Sequence, residues 1–368
     1  MLVRPQRGTA AAAAPRRTPE KGPAMHQFRN DYSEGACPEV LDALVRTNAE
    51  QHPGYTDDDW CRRAADVIRE EVGRPDAEVR FAPGGTAANI LAVSGLCEAF
   101  EGPVCAADGH IVTHETGSIE ATGRRVLYTA DKNGVLTPEA AEEVWRTQTS
   151  QGIHMTRPGM VYFSDTTELG HVWTRAEFDA VCDWADSHGL PVYVDGARMA
   201  SAMTAPGADL DIKHIAARAA AFTLGGTKAG LLFGEAMVVN HTGLAEKYGY
   251  LCKRTGALTA KGRLLGVQFA AALETGAYWR HARRANELAC KLRDGLSAAG
   301  FEPYIDTCGN QQFFWTTADE GEAFATNLGC ETFVDAGARR VMRFITSWAT
   351  TEQDVDEAIG YARSLKGR

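Results

Sequence analysis

Short apolar runs alternate with longer stretches in which apolar residues recur every three to four positions, starting at His26. The first pattern predicts buried strands and the second predicts helices. We predict strands at residues 78–82, 103–107, 124–129, 160–164, 192–194 and 219–226, with helices such as 86–100 and 174–188 between them. Alternation of this kind is typical of an α/β protein whose mostly parallel sheet is covered by helices on both faces.

The pattern changes near residue 264, where a long helix is predicted to run over 264–275 and to continue through 280–299. Short strands at 301–304, 311–316 and 340–346, and a closing helix from Thr351, then predict a small α+β unit. We therefore expect a large domain at 26–275 and a smaller C-terminal domain at 276–368.

Residues 1–25 differ from the rest of the chain. They are rich in Pro, Arg and Ala and contain no aromatic side chain before His26. Such a segment buries too little apolar area to offset its ordering entropy, so we predict a disordered tail. A start of translation at Met25 is the alternative explanation for its composition.

Composition narrows the class of protein. The 368 residues are 44% hydrophobic and 23% charged, which is typical of a globular protein with an ample core. A net charge of -10 argues against nucleic acid as the main partner, and no apolar run approaches the length of a membrane span. The nine cysteines are scattered without a C-x-x-C pair. We therefore expect a cytoplasmic enzyme with reduced thiols and no structural metal.

Lys228 is the most informative candidate for chemistry. It lies in the glycine-flanked turn Leu224-Gly225-Gly226-Thr227-Lys228-Ala229-Gly230, and Asp195 ends the apolar run before it, Pro191-Val192-Tyr193-Val194. Strand ends of open α/β sheets carry ligand sites. A lysine that forms a Schiff base and an aspartate that keeps a pyridine nitrogen protonated are what pyridoxal phosphate requires. An ordinary surface lysine after a strand is the alternative.

A second turn supplies a place for a phosphate group. The segment Phe81-Ala82-Pro83-Gly84-Gly85-Thr86-Ala87-Ala88-Asn89 predicts a strand, a glycine turn and a helix start. Free amides at a helix start bind anions, and the Thr86 hydroxyl adds a donor. A plain helix cap is the alternative. The segment matches neither a Walker loop nor the dinucleotide-binding G-x-G-x-x-G pattern.

Taken in order, the motifs resemble those of the threonine aldolase (β-eliminating lyase) family of fold-type-I pyridoxal-phosphate enzymes. The resemblance extends from about Phe28 to the C-terminus. It is carried by Asn30-Asp31-Tyr32, Pro83 to Asn89, His110 to Gly117, Asp195-Gly196-Ala197-Arg198, Thr227-Lys228 and Arg343-Phe344-Ile345-Thr346. It implies a mostly parallel sheet with a smaller C-terminal α+β domain.

The resemblance also assigns roles around the cofactor. It implies that His110 stacks on the pyridine ring, although His114, four residues later, competes for that position. Gly85 and Thr86 take the phosphate, while Arg198 lies near the phenolic oxygen and the substrate carboxylate. Arg263 and, more loosely, Lys253 correspond to basic residues that reach the cofactor phosphate of a neighbouring subunit, and Tyr55 is expected to reach that site too.

On the substrate side the resemblance implies a clamp and a base. Arg343 binds the substrate carboxylate, Asn30 belongs to the substrate site, and His154 approaches the β-hydroxyl group, with a surface histidine as the alternative. Two segments depart from the family pattern. They are residues 254–258 and Asp165-Thr166-Thr167-Glu168-Leu169-Gly170, and the second leaves the substrate preference open.

The activity that the resemblance implies is cleavage of L-threonine or a related β-hydroxy-α-amino acid to glycine and an aldehyde. Another pyridoxal-phosphate reaction on a small amino acid remains an alternative: β-elimination, transamination or racemisation requires the same Lys228 and Asp195. A protein that keeps the fold without the activity is a further alternative. The family also implies a homo-oligomer, at least a dimer and expected to be a dimer of dimers, with the site at the dimer interface.

Overall fold

The computed structural model describes residues 25–130, 134–240 and 244–367. Residues 1–24, and with them the prediction of a disordered tail, lie outside this part of the chain. Two sheets organise the described residues, one of seven strands and one of four.

The larger sheet forms the frame of the site. Its strands lie in the order β1-β7-β6-β5-β4-β2-β3, and β7 runs opposite in direction to the other six strands. The strands are β1 (Glu78–Ala82), β2 (Glu101–Cys105), β3 (Leu127–Tyr128), β4 (Arg157–Ser164), β5 (Val192–Asp195), β6 (Ala221–Gly225) and β7 (Glu235–Val239). Because β4, β5 and β6 are parallel, their carboxyl ends meet at one edge of the sheet.

Helices cover both faces of this sheet. They are α1 (Pro38–Thr47), α2 (Asp59–Val72), α3 (Gly85–Leu96), α4 (His110–Thr113), α5 (Pro138–Thr149), α6 (Arg175–Ser187), α7 (Met199–Thr204), α8 (Ile212–Arg218), α9 (Ala245–Thr255) and α10 (Arg263–Glu274). The central strands β5 and β6 are buried on both sides, which is why they read as continuous apolar runs. One face packs against α3 and α9, while the other packs against α2, α6, α8 and α10.

The smaller sheet follows the long helix α11 (Ala277–Ala298). It contains β8 (Glu302–Pro303), β9 (Gln311–Thr317), β10 (Glu331–Asp335) and β11 (Arg339–Ile345), and the helices α12 (Ala318–Leu328) and α13 (Glu352–Lys366) pack on it. Phe28 is also part of this core, since its amide and carbonyl bond to Leu328 and Ile345. The start of the described chain therefore packs with the C-terminal sheet.

The predicted α/β class with a mostly parallel sheet is confirmed, but three elements differ from the prediction. The helix expected to run continuously from 264 to 299 is two helices, because Gly276 has a φ of 68° and interrupts it. Strands β7 and β10 had no counterpart among the predicted elements. None of the helices in the described ranges combines the length and apolar character needed to span a membrane.

Candidate active site

Lys228 lies in the turn that follows β6, at the carboxyl edge of the large sheet. Residues from both domains line the cavity beside it; they include Asp31, Arg198, Lys228, His281, Asn310, Thr346 and Trp348. Burial and the charge of Arg198 lower the pKa of the Lys228 amine, against the opposing carboxylates. A less firmly protonated amine is better suited to act as a nucleophile.

Asp195 ends β5 and is buried, with 4% of its surface exposed. Its Oδ2 accepts hydrogen bonds from the Tyr162 hydroxyl (2.7 Å) and the Asn89 amide (2.9 Å), and Oδ1 accepts one from the Ala197 N–H (3.0 Å). Asn89 is in turn held by the Tyr193 hydroxyl at 3.0 Å. These contacts fix the carboxylate and leave lone-pair capacity on Oδ1 for one further donor.

His110 begins the short helix α4, and its Nδ1 lies 2.9 Å from Oε1 of the buried Glu115. Burial lowers the pKa of His110, but the bond to Glu115 and the charges of Glu168 and Asp195 outweigh that effect and raise it. The Asn89 amide also donates to Glu115 Oε1 (2.7 Å), so one chain of hydrogen bonds joins His110 to Asp195. The ring of His114 is exposed and 5.6 Å from that of His110.

The predicted phosphate turn begins helix α3 at Gly85. The first bond into the helix runs from the Ala88 N–H to the Gly84 carbonyl (3.1 Å), so the earlier amides are available to an anion. A Cβ atom placed on Gly84 or Gly85 would meet no atom within 4 Å, so open space adjoins these amides. Thr86 is exposed beside the same space.

Arg198 is buried and forms a two-point ion pair with Asp31. The distances are 2.8 Å from Nε to Oδ2 and 3.2 Å from Nη2 to Oδ1. The Asn310 amide, from the small domain, donates to Asp31 Oδ2 at 2.8 Å. Burial alone would raise the pKa of Asp31, but the charges of Arg198 and Lys228 and these hydrogen bonds hold it below its usual value.

Three residues predicted for the substrate side, His154, Arg343 and Asn30, do not line this cavity. His154 is exposed and precedes β4, whose eight residues span roughly 23 Å, so it lies at the opposite edge of the sheet from Asp195. Arg343 lies on β11 with its guanidinium hydrogen-bonded to Glu331. Asn30 accepts hydrogen bonds from its own turn, from the Tyr32 amide (3.0 Å) and the Ser33 hydroxyl (2.9 Å).

Arg263 and Tyr55 are not among the residues that line the cavity beside Lys228. Arg263 begins α10, lines a surface cleft with residues 48–53, and has a buried Nη1 without a partner among the described residues. Tyr55 is 49% exposed, and the Lys253 amine lies 4.3 Å from the centre of its ring.

Several residues of the site have no role that the sequence predicts. They are Asp31, Asn89, Glu115, Tyr162, Glu168 and Asn310. Asp31, Asn89, Glu115 and Glu168 lie inside the sequence segments named above. A polar residue close to a candidate cofactor or substrate residue in such a segment could have indicated them. Tyr162 and Asn310 have no such signal, because only the folded chain brings them to Asp195 and Asp31.

One group of side chains among the described residues has the ligand types of a metal site. Cys37, Glu39 and His281 have ligand atoms within 4.8 Å of one another. The Glu39 carboxylate is already bonded to His281 (3.0 Å) and to the Arg280 guanidinium (2.5 Å). A positive guanidinium at this distance opposes the binding of a cation.

The residues present fit pyridoxal phosphate. An amine of lowered pKa, a buried carboxylate and open space over helix-start amides lie at one edge of the sheet, as the cofactor's aldehyde, ring nitrogen and phosphate require. The fold and the site thus define a fold-type-I pyridoxal-phosphate enzyme. The chain belongs to the β-eliminating lyase family, whose model matches residues 27–314.

Individual relatives agree with this assignment. The chain is 35% identical to a low specificity L-threonine aldolase of a Pseudomonas species, over 92% of this chain and 97% of the relative. It is 31% identical to a low specificity L-threonine aldolase of Pseudomonas aeruginosa, with the same two coverages. Among solved structures, a threonine aldolase of Leishmania major superposes with a TM-score of 0.90 at 36% identity, covering 93% of this chain and 99% of that one.

Proposed function

We propose that this chain is a pyridoxal-phosphate-dependent aldolase that cleaves L-threonine and related β-hydroxy-α-amino acids to glycine and an aldehyde. The observation that carries the proposal is the placement of Lys228 and Arg198 in one cavity between the two domains, with the buried Asp195 at the end of the strand that leads into Arg198. The near full-length similarity to two low specificity L-threonine aldolases supports the choice of reaction. The carbon–carbon lyase class follows from the same relatives.

The protein's part in the reaction begins with holding the cofactor. When bound, the cofactor supplies an electron sink for the bond that breaks at Cα. Lys228 would bind its aldehyde carbon, Asp195 its ring nitrogen, and the amides from Gly85 its phosphate, with Thr86 as an additional donor. His110, fixed through Glu115, would lie against the ring face and exclude water from it.

Binding of the amino acid falls to basic side chains. Asp31 accepts hydrogen bonds from Nε and Nη2 of Arg198, so Nη1 remains. This nitrogen would bind the substrate carboxylate. Arg343 would add a second contact after its guanidinium leaves Glu331, and Asn30 would border the same space. Holding the carboxylate orients the Cα–Cβ bond for cleavage, an effect that can lower the barrier by several kcal/mol.

A neighbouring subunit would complete the site. We propose a homo-oligomer, a dimer of dimers, in which Arg263 and Tyr55 approach a neighbour's cofactor phosphate; the buried unpartnered Nη1 of Arg263 supports a further acceptor there. His154 can take part only if another subunit carries it to the cavity. We also propose a cytoplasmic location, which the nine free cysteines support.

A product assay tests the proposed function. Purified holoenzyme is incubated with L-threonine, and glycine and acetaldehyde are quantified separately. Equal amounts of both products are expected. Ammonia with a keto acid would instead indicate β-elimination, a loss of amino groups to an added keto acid would indicate transamination, and D-threonine or D-allothreonine would indicate racemisation.

A further inference from the structure

The carboxylates around Lys228 differ in whether their oxygens are already engaged. Asp31 accepts hydrogen bonds from the side chains of Arg198 and Asn310, and Asp195 accepts them from Asn89 and Tyr162. Glu115 accepts bonds from His110, Asn89 and the Ser118 hydroxyl (2.6 Å). These three carboxylates are held in place as structural partners.

Glu235, at the start of β7, is the fourth carboxylate of the neighbourhood. It is 3% exposed, and its Oε2 has no partner among the described residues. Burial and the charge of Asp195 raise the pKa of Glu235 well above its usual value, although Lys228 opposes them. A carboxyl group that stays protonated is not able to take up a proton.

Glu168 is different from all four. It lies in the turn after β4, which is closed by bonds from the Thr167 N–H to the His171 carbonyl and from the Gly170 N–H to the Thr167 carbonyl, both 2.9 Å. The side chain is half-buried and has no hydrogen bond or ion pair to the part of the chain that the structure describes. With Gly109 and Tyr162 it lines a small cavity beside the site.

The charge of Glu168 acts on the groups that bind cofactor and substrate. Burial and Arg198 lower the pKa of Lys228, and among the carboxylates that oppose them Glu168 has a larger effect than Asp195. Glu168 also raises the pKa of His110 and of Arg198, in each case against the opposing effect of burial. The cavity that Glu168 lines adjoins the site, since Tyr162, which shares it, hydrogen-bonds to Asp195, and Gly109, which also shares it, directly precedes His110.

We propose that Glu168 is the residue that binds the substrate β-hydroxyl group and takes its proton, an assignment that rests on the proposed aldolase function. Among the carboxylates discussed, only Glu168 and Glu235 have oxygens without a partner in the described residues; Glu235 is buried at the start of β7, whereas Glu168 lines a cavity beside the site. His154, the base that the family resemblance implies, lies at the far edge of the sheet within the chain. The departure from the family pattern at residues 165–170 would then be a functional feature.

The proton and electron balance of the step is complete. The hydroxyl proton moves to a Glu168 oxygen, and the O–H electron pair becomes the second bond of the aldehyde C=O group. The Cα–Cβ bond breaks, and its electron pair passes to the electron sink that the bound cofactor supplies. The proton held by Glu168 passes to solvent as the aldehyde leaves, and Cα takes a separate proton from water or the Lys228 amine to become the methylene carbon of glycine.

Two reactions of the holoenzyme test the role of Glu168. Threonine cleavage needs a base at the β-hydroxyl, whereas exchange of the glycine α-protons in D2O, followed by NMR, uses no such base. Glu168→Gln keeps the size and polarity of the side chain but does not accept a proton. We expect cleavage to fall about a hundredfold or more and glycine exchange to stay within about threefold of the wild-type rate.

Further variants separate the possible outcomes. Glu168→Asp, which keeps a carboxylate, should recover part of the cleavage rate, and Glu143→Gln, at an exposed site on α5, should leave both reactions unchanged. Wild-type cleavage by Glu168→Gln, or equal loss of cleavage and exchange, would overturn the proposal. If the wild-type enzyme exchanges glycine α-protons but releases no glycine from threonine, the proposed function itself has failed.

Discussion

Asp31 and Arg198, 167 positions apart in the chain, form a buried ion pair with two hydrogen bonds, 2.8 and 3.2 Å long. The pair ties the segment before α1 to the end of β5, and Asn310 extends it to the small domain. The ion pair and its bond to Asn310 thus connect three parts of the chain that surround Lys228. Its geometry also determines which nitrogen of Arg198 remains for a substrate.

Asp31→Asn should destabilise the protein and weaken substrate binding. Removing one partner of a buried pair leaves an uncompensated charge and typically costs about 3–5 kcal/mol. Because the folded-state pKa of Asp31 is lowered, its contribution is fully present above the unfolded value near 3.8 and is lost as pH falls through the folded value. Thermal unfolding at several pH values would show a gap between wild type and variant that closes in acid; a constant gap would contradict this account.

Lys228→Ala should remove the visible absorption band of the bound cofactor and nearly all threonine cleavage. No comparable change is expected in circular dichroism, because the side chain contributes an amine rather than core packing. Lys213→Ala, at an exposed site, serves as the control. A band that persists in the Lys228 variant, and that borohydride fixes to another lysine, would refute the assignment.

His154→Phe should cleave threonine within about threefold of the wild-type rate, because the histidine lies at the opposite edge of the sheet from the cavity. Initial rates for threonine, compared with those of Glu168→Gln, check this expectation. A fall of about a hundredfold would show that a neighbouring subunit delivers His154 to the β-hydroxyl group.

Glu115→Gln should lower the pKa of His110, because the bond to Glu115 is the largest of the effects that raise it. A raised histidine pKa stabilises the fold below the unfolded value near 6.5, and this stability is lost as pH rises through the folded value. The difference in thermal midpoint between wild type and variant should therefore be larger at about pH 6 than at about pH 9. An equal difference at the two pH values would contradict this prediction. The effect of the variant would then come from the hydrogen bonds of Glu115 and not from the charge of His110.

Arg343→Gln should raise KM for threonine and for serine about tenfold with little change in kcat, because Arg198 still orients the carboxylate and the lost contact is made equally in ground and transition states. Steady-state kinetics with both amino acids measure this. Glu331→Gln frees the guanidinium and should not raise KM. An unchanged KM in the Arg343 variant would confine that residue to its ion pair on the small sheet.

The chain of hydrogen bonds from His110 to Asp195 shows which features of the site can be predicted from local sequence and which cannot. The motifs that contain His110, Asn89, Asp195 and Lys228 were recognisable because each joins an apolar strand or helix to a turn of particular chemistry. Their contacts were not, because Asn89 bonds to residues 26 and 106 positions away. The cofactor could thus be predicted, but not the network that orients its partners.

By itself, the sequence determined the α/β class, the positions of most strands, the glycine turns and the cofactor that Lys228 and Asp195 require. These are local properties, since periodicity and turn chemistry depend on neighbours along the chain. Tertiary structure decided the antiparallel β7, the packing of Phe28 in the small domain, the Asp31–Arg198 pair, and the separation of His154 from Asp195 by the length of β4. Those features depend on which distant strand ends share an edge, and the sheet order determines that only when the whole chain has folded.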